Sequence, residues 1–243
     1  MFVDVHAHLF NEAFDEDRRA VIQRAGCHRI INNGLDYQTN QSCLTLQSRY
    51  HRCGAAAGLY PGRLSCIDKG EEHKIYEQMR DDRFVAVGEV GLDYSYAEND
   101  GEKERQRSVF RETVRIAVDE RKPVIIHSRN AESDVLEILE ETMPYAAVLH
   151  SFTGRRHQWR RACNLGYYFS IPPVITRATH FQQLVRDIPF HQLLTESDAP
   201  YLGAIKGERS EPRQVAQTTE VIGDVKEERG VAGQIERNHA RIF

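Results

Sequence analysis

The chain's 243 residues suffice for one sizeable core and lie close to the roughly 250 of a typical (β/α)8 barrel, and no Pro/Gly/Ser-rich linker divides them. A formal net charge of −4 excludes the global positive field that drives non-specific duplex binding, and no apolar run is long enough to span a bilayer. Five cysteines, at positions 27, 43, 53, 66 and 163, are odd in number and form no C-x-x-C pair, which argues against a zinc knuckle or a disulfide framework; a cytoplasmic protein without membrane attachment is expected.

Apolar segments near Phe2–Val5, Arg29–Asn32, Ala55–Leu59, Phe84–Glu89, Pro123–His127, Ala146–His150, Tyr167–Ile171 and Gln192–Glu196 read as strands. Between them lie stretches of helical length, such as Glu102–Arg121, in which Val109, Phe110, Val114, Ala117 and Val118 follow one face. After the eighth strand, Glu211–Glu228, entered through Pro212, and Ile235–Phe243 read as closing helices. This alternation predicts an α/β fold, a (β/α)8 TIM barrel, with residues 1–243 as a single domain.

Metal-capable residues fall at the carboxyl ends of these strands. The chain opens with Asp4-Val5-His6-Ala7-His8, and residues two apart in a strand share a face, so His6 and His8 can reach one cation. Glu89 ends strand four, His127 strand five and His150 strand six, while Asp198 follows strand eight. In a barrel these positions converge on the face where barrel enzymes place their chemistry. Singly, each has an ordinary structural reading: a hydrogen-bonded core histidine, or, for Asp198-Ala199-Pro200, the start of a turn. Together they predict one metal centre.

Two divalent ions about 3.5–4 Å apart could be held there, one by His6 and His8 and the other by His127 and His150, with Glu89 as the bridge. A carboxylate offers two oxygens and a charge that reduces the repulsion between the ions, whereas a neutral imidazole offers neither. Asp198 is the candidate to ligate the first ion and to take the proton of an attacking water, which makes Asp198 and Glu89 the candidate catalytic residues. Mixed imidazole and carboxylate donors favour Zn or Mn, with Mg more weakly held. Strand parity sets Asp4 beside His6 and Glu196 beside Asp198, where each could orient a ligand.

With these residues in place, the chain resembles the TatD family of metal-dependent hydrolases, within the wider amidohydrolase-like barrel superfamily. The resemblance rests on five ordered motifs: Asp4-Val5-His6-Ala7-His8-Leu9, Gly88-Glu89-Val90-Gly91-Leu92-Asp93-Tyr94, Ile126-His127-Ser128-Arg129, His150-Ser151-Phe152-Thr153-Gly154 and Thr195-Glu196-Ser197-Asp198-Ala199-Pro200-Tyr201-Leu202. It implies a site of one or two divalent ions and phosphodiester hydrolysis, typically as a DNase with exonuclease character on single-stranded ends. The sequence leaves the oligomeric state open and is compatible with a monomer. Three departures bear on substrate more than on fold: Tyr60 stands where the family usually has His, Pro172-Pro173 replaces a more flexible loop and should stiffen the rim, and Asn130 replaces a common acidic residue while still permitting helix capping.

Arg129, two residues past His127, is the candidate for gripping a substrate phosphate, since a guanidinium presents a planar fork of donors. In Arg155-Arg156-His157-Gln158-Trp159-Arg160-Arg161, the spacing of Trp159, Ala162 and Cys163 predicts a core-facing stripe with the arginines solvated, rather than a base-stacking patch. Besides nucleic-acid hydrolysis, two functions are compatible with the sequence. A carbon–nitrogen hydrolase or deaminase of a small molecule is the alternative, but many binuclear amidohydrolases bridge their ions with a modified Lys where this chain has Glu89. A catalytically silent binding protein is disfavoured because all six ligand positions remain metal-competent.

Overall fold

The computed structural model describes residues 1–243, and in it eight parallel strands follow one another around a barrel: β1 (Phe2–Ala7), β2 (Cys27–Asn33), β3 (Cys53–Ala57), β4 (Ala86–Asp93), β5 (Val124–Arg129), β6 (Ala147–His150), β7 (Tyr168–Ile171) and β8 (Leu193–Thr195). Helices connect them on the outside: α1 (Arg18–Arg24), α2 (Tyr37–Arg49), α3 (Lys69–Arg80), α4 (Asp100–Asp119), α5 (Glu132–Thr142), α6 (Arg156–Asn164) and α7 (Thr179–Asp187). The expected Glu211–Glu228 segment begins as a short 3-10 turn at Pro212–Gln214 and becomes α8 (Val215–Lys226). The last helix, α9 (Val231–His239), starts four residues earlier than expected and leaves Ile242 free to pack into the barrel. No helix is long and apolar enough to cross a membrane.

Two apolar layers hold the barrel. Val3, Val5, Ile31, Ala56, Ala86, Ile125, Val148 and Leu194 form one cluster drawn from seven of the eight strands, which only a shared lumen permits, and Ile242 joins them near the strand starts. Outside, the strands pack on the helices, as where Val109, Phe110, Val114 and Ala117 of α4 are buried. Trp159 belongs to this outer layer: it is buried, while Arg156 and Arg161 pair with Asp187 and Glu140 on the surface.

Regular ladder pairing runs from β1 to β8 but does not join β8 to β1. Individual bonds staple that seam instead. Asp198 N–H donates to the His6 carbonyl at 2.9 Å, and His8 N–H donates to the Ala199 carbonyl at 2.8 Å. The buried Asp4 carboxyl accepts from Ser197 N–H at 2.9 Å and from His6 N–H at 3.2 Å through one oxygen, and burial pushes its pKa up to about 8. Asp4 thus holds backbone rather than the His6 ring. Asp4→Ala would orphan two buried donors at roughly 1–3 kcal/mol each, whereas Asp4→Asn keeps the acceptor. Urea unfolding of the two metal-free variants should therefore show roughly 2–5 kcal/mol lost in the first and little in the second; equal losses would contradict this role.

Candidate metal centre

β4 does not end at Glu89 as expected; it continues to Asp93, and its pairing with β5 shifts register between Val87 and Val90. Glu89 sits in that irregularity. Its N–H donates to the Gly34 carbonyl and its carbonyl accepts from Leu59 N–H, each at 3.0 Å, so its backbone is locked against the ends of β2 and β3. A Cβ at Gly58 would lie 2.4 Å from Glu89 N, which is why that neighbour carries no side chain. β1 has a comparable register shift between Asp4 and Ala7, where His6 lies.

These irregular strand ends bring the six expected residues together. His6 Nε2 and His8 Nε2 are 3.0 Å apart; Glu89 Oε2 is 3.5 and 3.4 Å from them, and Asp198 Oδ1 is 3.6 Å from each. A tetrahedron of metal bonds about 2.0–2.1 Å long has edges of about 3.4 Å, so the His6, His8 and Glu89 atoms are spaced as three ligands of one ion would be, with Asp198 bordering the two histidines. Glu89 Oε1 faces the other way, 2.9 Å from His127 Nδ1 and 3.2 Å from His150 Nε2, which lie 3.4 Å from each other. The two oxygens of Glu89 therefore address two separate donor sets.

Charge in the cluster favours a cation. Burial and the neighbouring His150 push His6 down to about 4. For His8, His127 and His150 burial acts in the same sense, but the facing carboxylates outweigh it and raise all three. Burial would likewise raise Glu89, yet His150 and the surrounding imidazoles hold it well below the usual carboxylate range. The carboxylates thus favour positive charge beside them in the buried space, and the mixed nitrogen and oxygen donors fit a divalent ion.

Neighbouring groups orient the rings. His8 Nδ1 donates to the Asn33 carbonyl at 2.8 Å, His6 stacks on His150 at 3.9 Å, and His127 Nε2 lies 3.0 Å from Asp93 Oδ2. Asp93 in turn accepts from the Tyr60 hydroxyl at 3.2 Å, so the departure at Tyr60 acts on the partner of a candidate ligand. Glu196 differs from expectation. Ser151 and Ser170 donate to its carboxylate, and its nearest ring is His150, with Nδ1 at 3.5 Å, so it supports His150 rather than Asp198. Asp93, Ser151 and Ser170 were not singled out by the sequence, although Asp93 falls in the second quoted motif.

Asp198 opens a turn and also faces the cluster. It adopts a left-handed backbone with φ 47°, its carbonyl accepts from Tyr201 N–H at 2.6 Å to close a turn, and its side chain enters the cluster. Arg129 closes β5 on the same face as His127 and is exposed, with no side-chain partner in the protein. Asn130 does not cap α5. It takes a left-handed conformation, φ 56°, which Asn tolerates, and Ala131 occupies the cap position. Pro172 and Pro173 are buried at the start of a 3-10 turn, Pro173–Thr176, consistent with a stiff rim.

Comparison with known proteins places the chain in a family. The family model described as TatD related DNase matches residues 3–243. The uncharacterized metal-dependent hydrolase YabD of Bacillus subtilis is 34% identical over 238 residues, 93% of this chain and 92% of its own. The 3'-5' ssDNA/RNA exonuclease TatD of Klebsiella pneumoniae is 31% identical over 208 residues, 82% and 78% of the two chains. The crystal structure of YjjV, a TatD homolog from Escherichia coli, superposes with a TM-score of 0.90 at 29% identity, covering 100% of this chain and 97% of that one. A complete barrel, a converged His and carboxylate cluster and a family match over nearly the whole length lead to one conclusion: the chain belongs to the TatD related DNase family of metal-dependent hydrolases.

Proposed function

We propose that this hydrolase is a nuclease acting on single-stranded DNA ends, in which His6, His8 and Asp198 would hold one divalent ion, His127 and His150 a second, and Glu89 would serve both. The observation that supports this most strongly is the division of Glu89's two oxygens between two donor sets. A bound ion supplies Lewis-acid stabilisation of charge on the phosphoryl oxygens and acidifies water. The chain's own residues do the rest. Asp198, fixed by its turn, presents a carboxylate that accepts the proton of the attacking water. Arg129, unpaired in the protein, offers its guanidinium fork to non-bridging phosphate oxygens.

The Klebsiella relative, a 3'-5' exonuclease of single-stranded DNA and RNA by name, supports strand ends as the point of attack. The imidazole-rich donor set suits Zn or Mn. Five free cysteines, three of them buried, suit the reducing cytosol, where we place the protein.

The test is a metal series with Zn, Mn and Mg on short single strands labelled at either end. Metal-dependent shortening from one end is the expected result; no cleavage with any metal, or purely internal cutting, would overturn the proposal. In the same assay Arg129→Ala should raise KM about 10- to 100-fold, the worth of a charge-assisted bond, while leaving metal content unchanged. An unchanged KM would return Arg129 to the role of an ordinary surface residue.

A further inference from the structure

We propose that Tyr96 and Tyr201 are stacking platforms for the nucleobases on either side of the phosphodiester under attack, an inference that rests on the nuclease reading above. Both rings are open, with Tyr96 57% and Tyr201 55% exposed, and neither hydroxyl has a protein partner. Tyr145 is equally exposed at 57%, but its hydroxyl donates to the Ile242 carbonyl, away from the metal cluster.

Their positions are what point to a ligand. Tyr96 ends the short turn that follows β4, and Tyr201 lies three residues beyond Asp198 after β8. With eight strands in consecutive order, β4 and β8 are four strands apart, so the two rings stand on opposite sides of the barrel mouth. Tyr201 adjoins one half of the metal cluster directly, and Tyr96 lies one ring out from the other. The Tyr201 ring centroid is 6.3 Å from that of His8. The Tyr96 ring is 6.2 Å from Tyr60, whose own ring is 5.0 Å from His127. A strand whose phosphate lay between the two donor sets would therefore pass an open aromatic ring on each side, one nucleotide's reach from the phosphate.

Both rings are also held firmly by their backbones. Tyr201 N–H donates to the carbonyl of Asp198, and Ser95 N–H donates to Asp93 at the head of the turn that carries Tyr96. A Cβ at Gly62 would come within 2.7 Å of Tyr60 and 3.0 Å of Tyr96, so this glycine leaves the space that the pair occupies. Beside Tyr201, Leu202 and Ile205 are exposed and extend the apolar rim. A chain of net charge −4 with Arg129 as its clearest phosphate contact needs an uncharged source of grip on a strand. Stacking supplies it without sequence preference, because every base has a π-face.

The experiment compares KM and kcat for Tyr96→Ala and Tyr201→Ala, metal-loaded, on a short single strand and on the same strand with tetrahydrofuran abasic residues in its terminal nucleotides. Each variant should raise KM on the order of tenfold on the base-bearing strand, with kcat changed less than about twofold. On the abasic strand the unmodified enzyme should already show the raised KM, and the variants should add nothing. Tyr96→Trp and Tyr201→Trp should restore binding, which a merely structural role of the hydroxyl would not allow. An unchanged KM, or equal losses on both strands, would overturn the platforms alone. Cleavage of neither strand by the unmodified enzyme with any metal would overturn the nuclease reading and this inference with it.

Discussion

Glu89→Gln is expected to lower metal occupancy and turnover together. The amide keeps one good ligand oxygen but has no charge, so it cannot serve both donor sets that Glu89 Oε2 and Oε1 now face. His8, His127 and His150 would lose the carboxylate that favours their positive surroundings, while His6 and His8 keep Asp198. Removing one partner of a buried charge cluster costs about 3–5 kcal/mol, or two to four powers of ten in affinity. The loss should fall on the His127–His150 side, where no second carboxylate replaces Glu89. Elemental analysis with single-turnover rates on one preparation reads both effects, and a variant that kept full occupancy and rate would remove Glu89 from the bridge.

Asp198→Asn should separate proton transfer from metal retention. Asn tolerates the left-handed backbone at this position and keeps one ligating oxygen, so the turn closed by Tyr201 and the geometry of the cluster persist. What disappears is basicity. Loss of a general base costs about 10²–10⁴-fold, and single-turnover rates at saturating metal should fall within that range while metal content changes little. A variant hydrolysing near the unmodified rate would leave Asp198 as a ligand only.

The alternation of apolar segments and amphipathic helices was legible because each barrel strand buries both faces and each helix only one, and the motif residues were legible because their chemistry is rare at strand ends. Bounds slipped where local backbone departs from regular pairing. Val87-Gly88-Glu89 looks in the sequence like an apolar run meeting a polar stop, but β4 passes through Glu89 by a register shift that side-chain parity does not encode. For the same reason parity misassigned Asp4 and Glu196. Asp4 is diverted to two backbone donors at the β8–β1 seam, and Glu196 turns to Ser151, Ser170 and His150, contacts between strands far apart in sequence. Asp93 escaped notice because its role is carried by a hydrogen bond to His127 across to β5, not by its own spacing. The converging six residues needed only the strand order; their supporting groups needed coordinates.

The most direct measurement of the central claim is divalent-metal stoichiometry by elemental analysis after reconstitution and removal of excess ion, for the unmodified chain and for the double variant His6→Ala, His8→Ala. Two donor sets joined by Glu89 predict up to two ions per chain in the first and about one fewer in the second, with hydrolysis of single strands lost. No stoichiometric metal in the unmodified chain, or the same content in both proteins, would contradict the account.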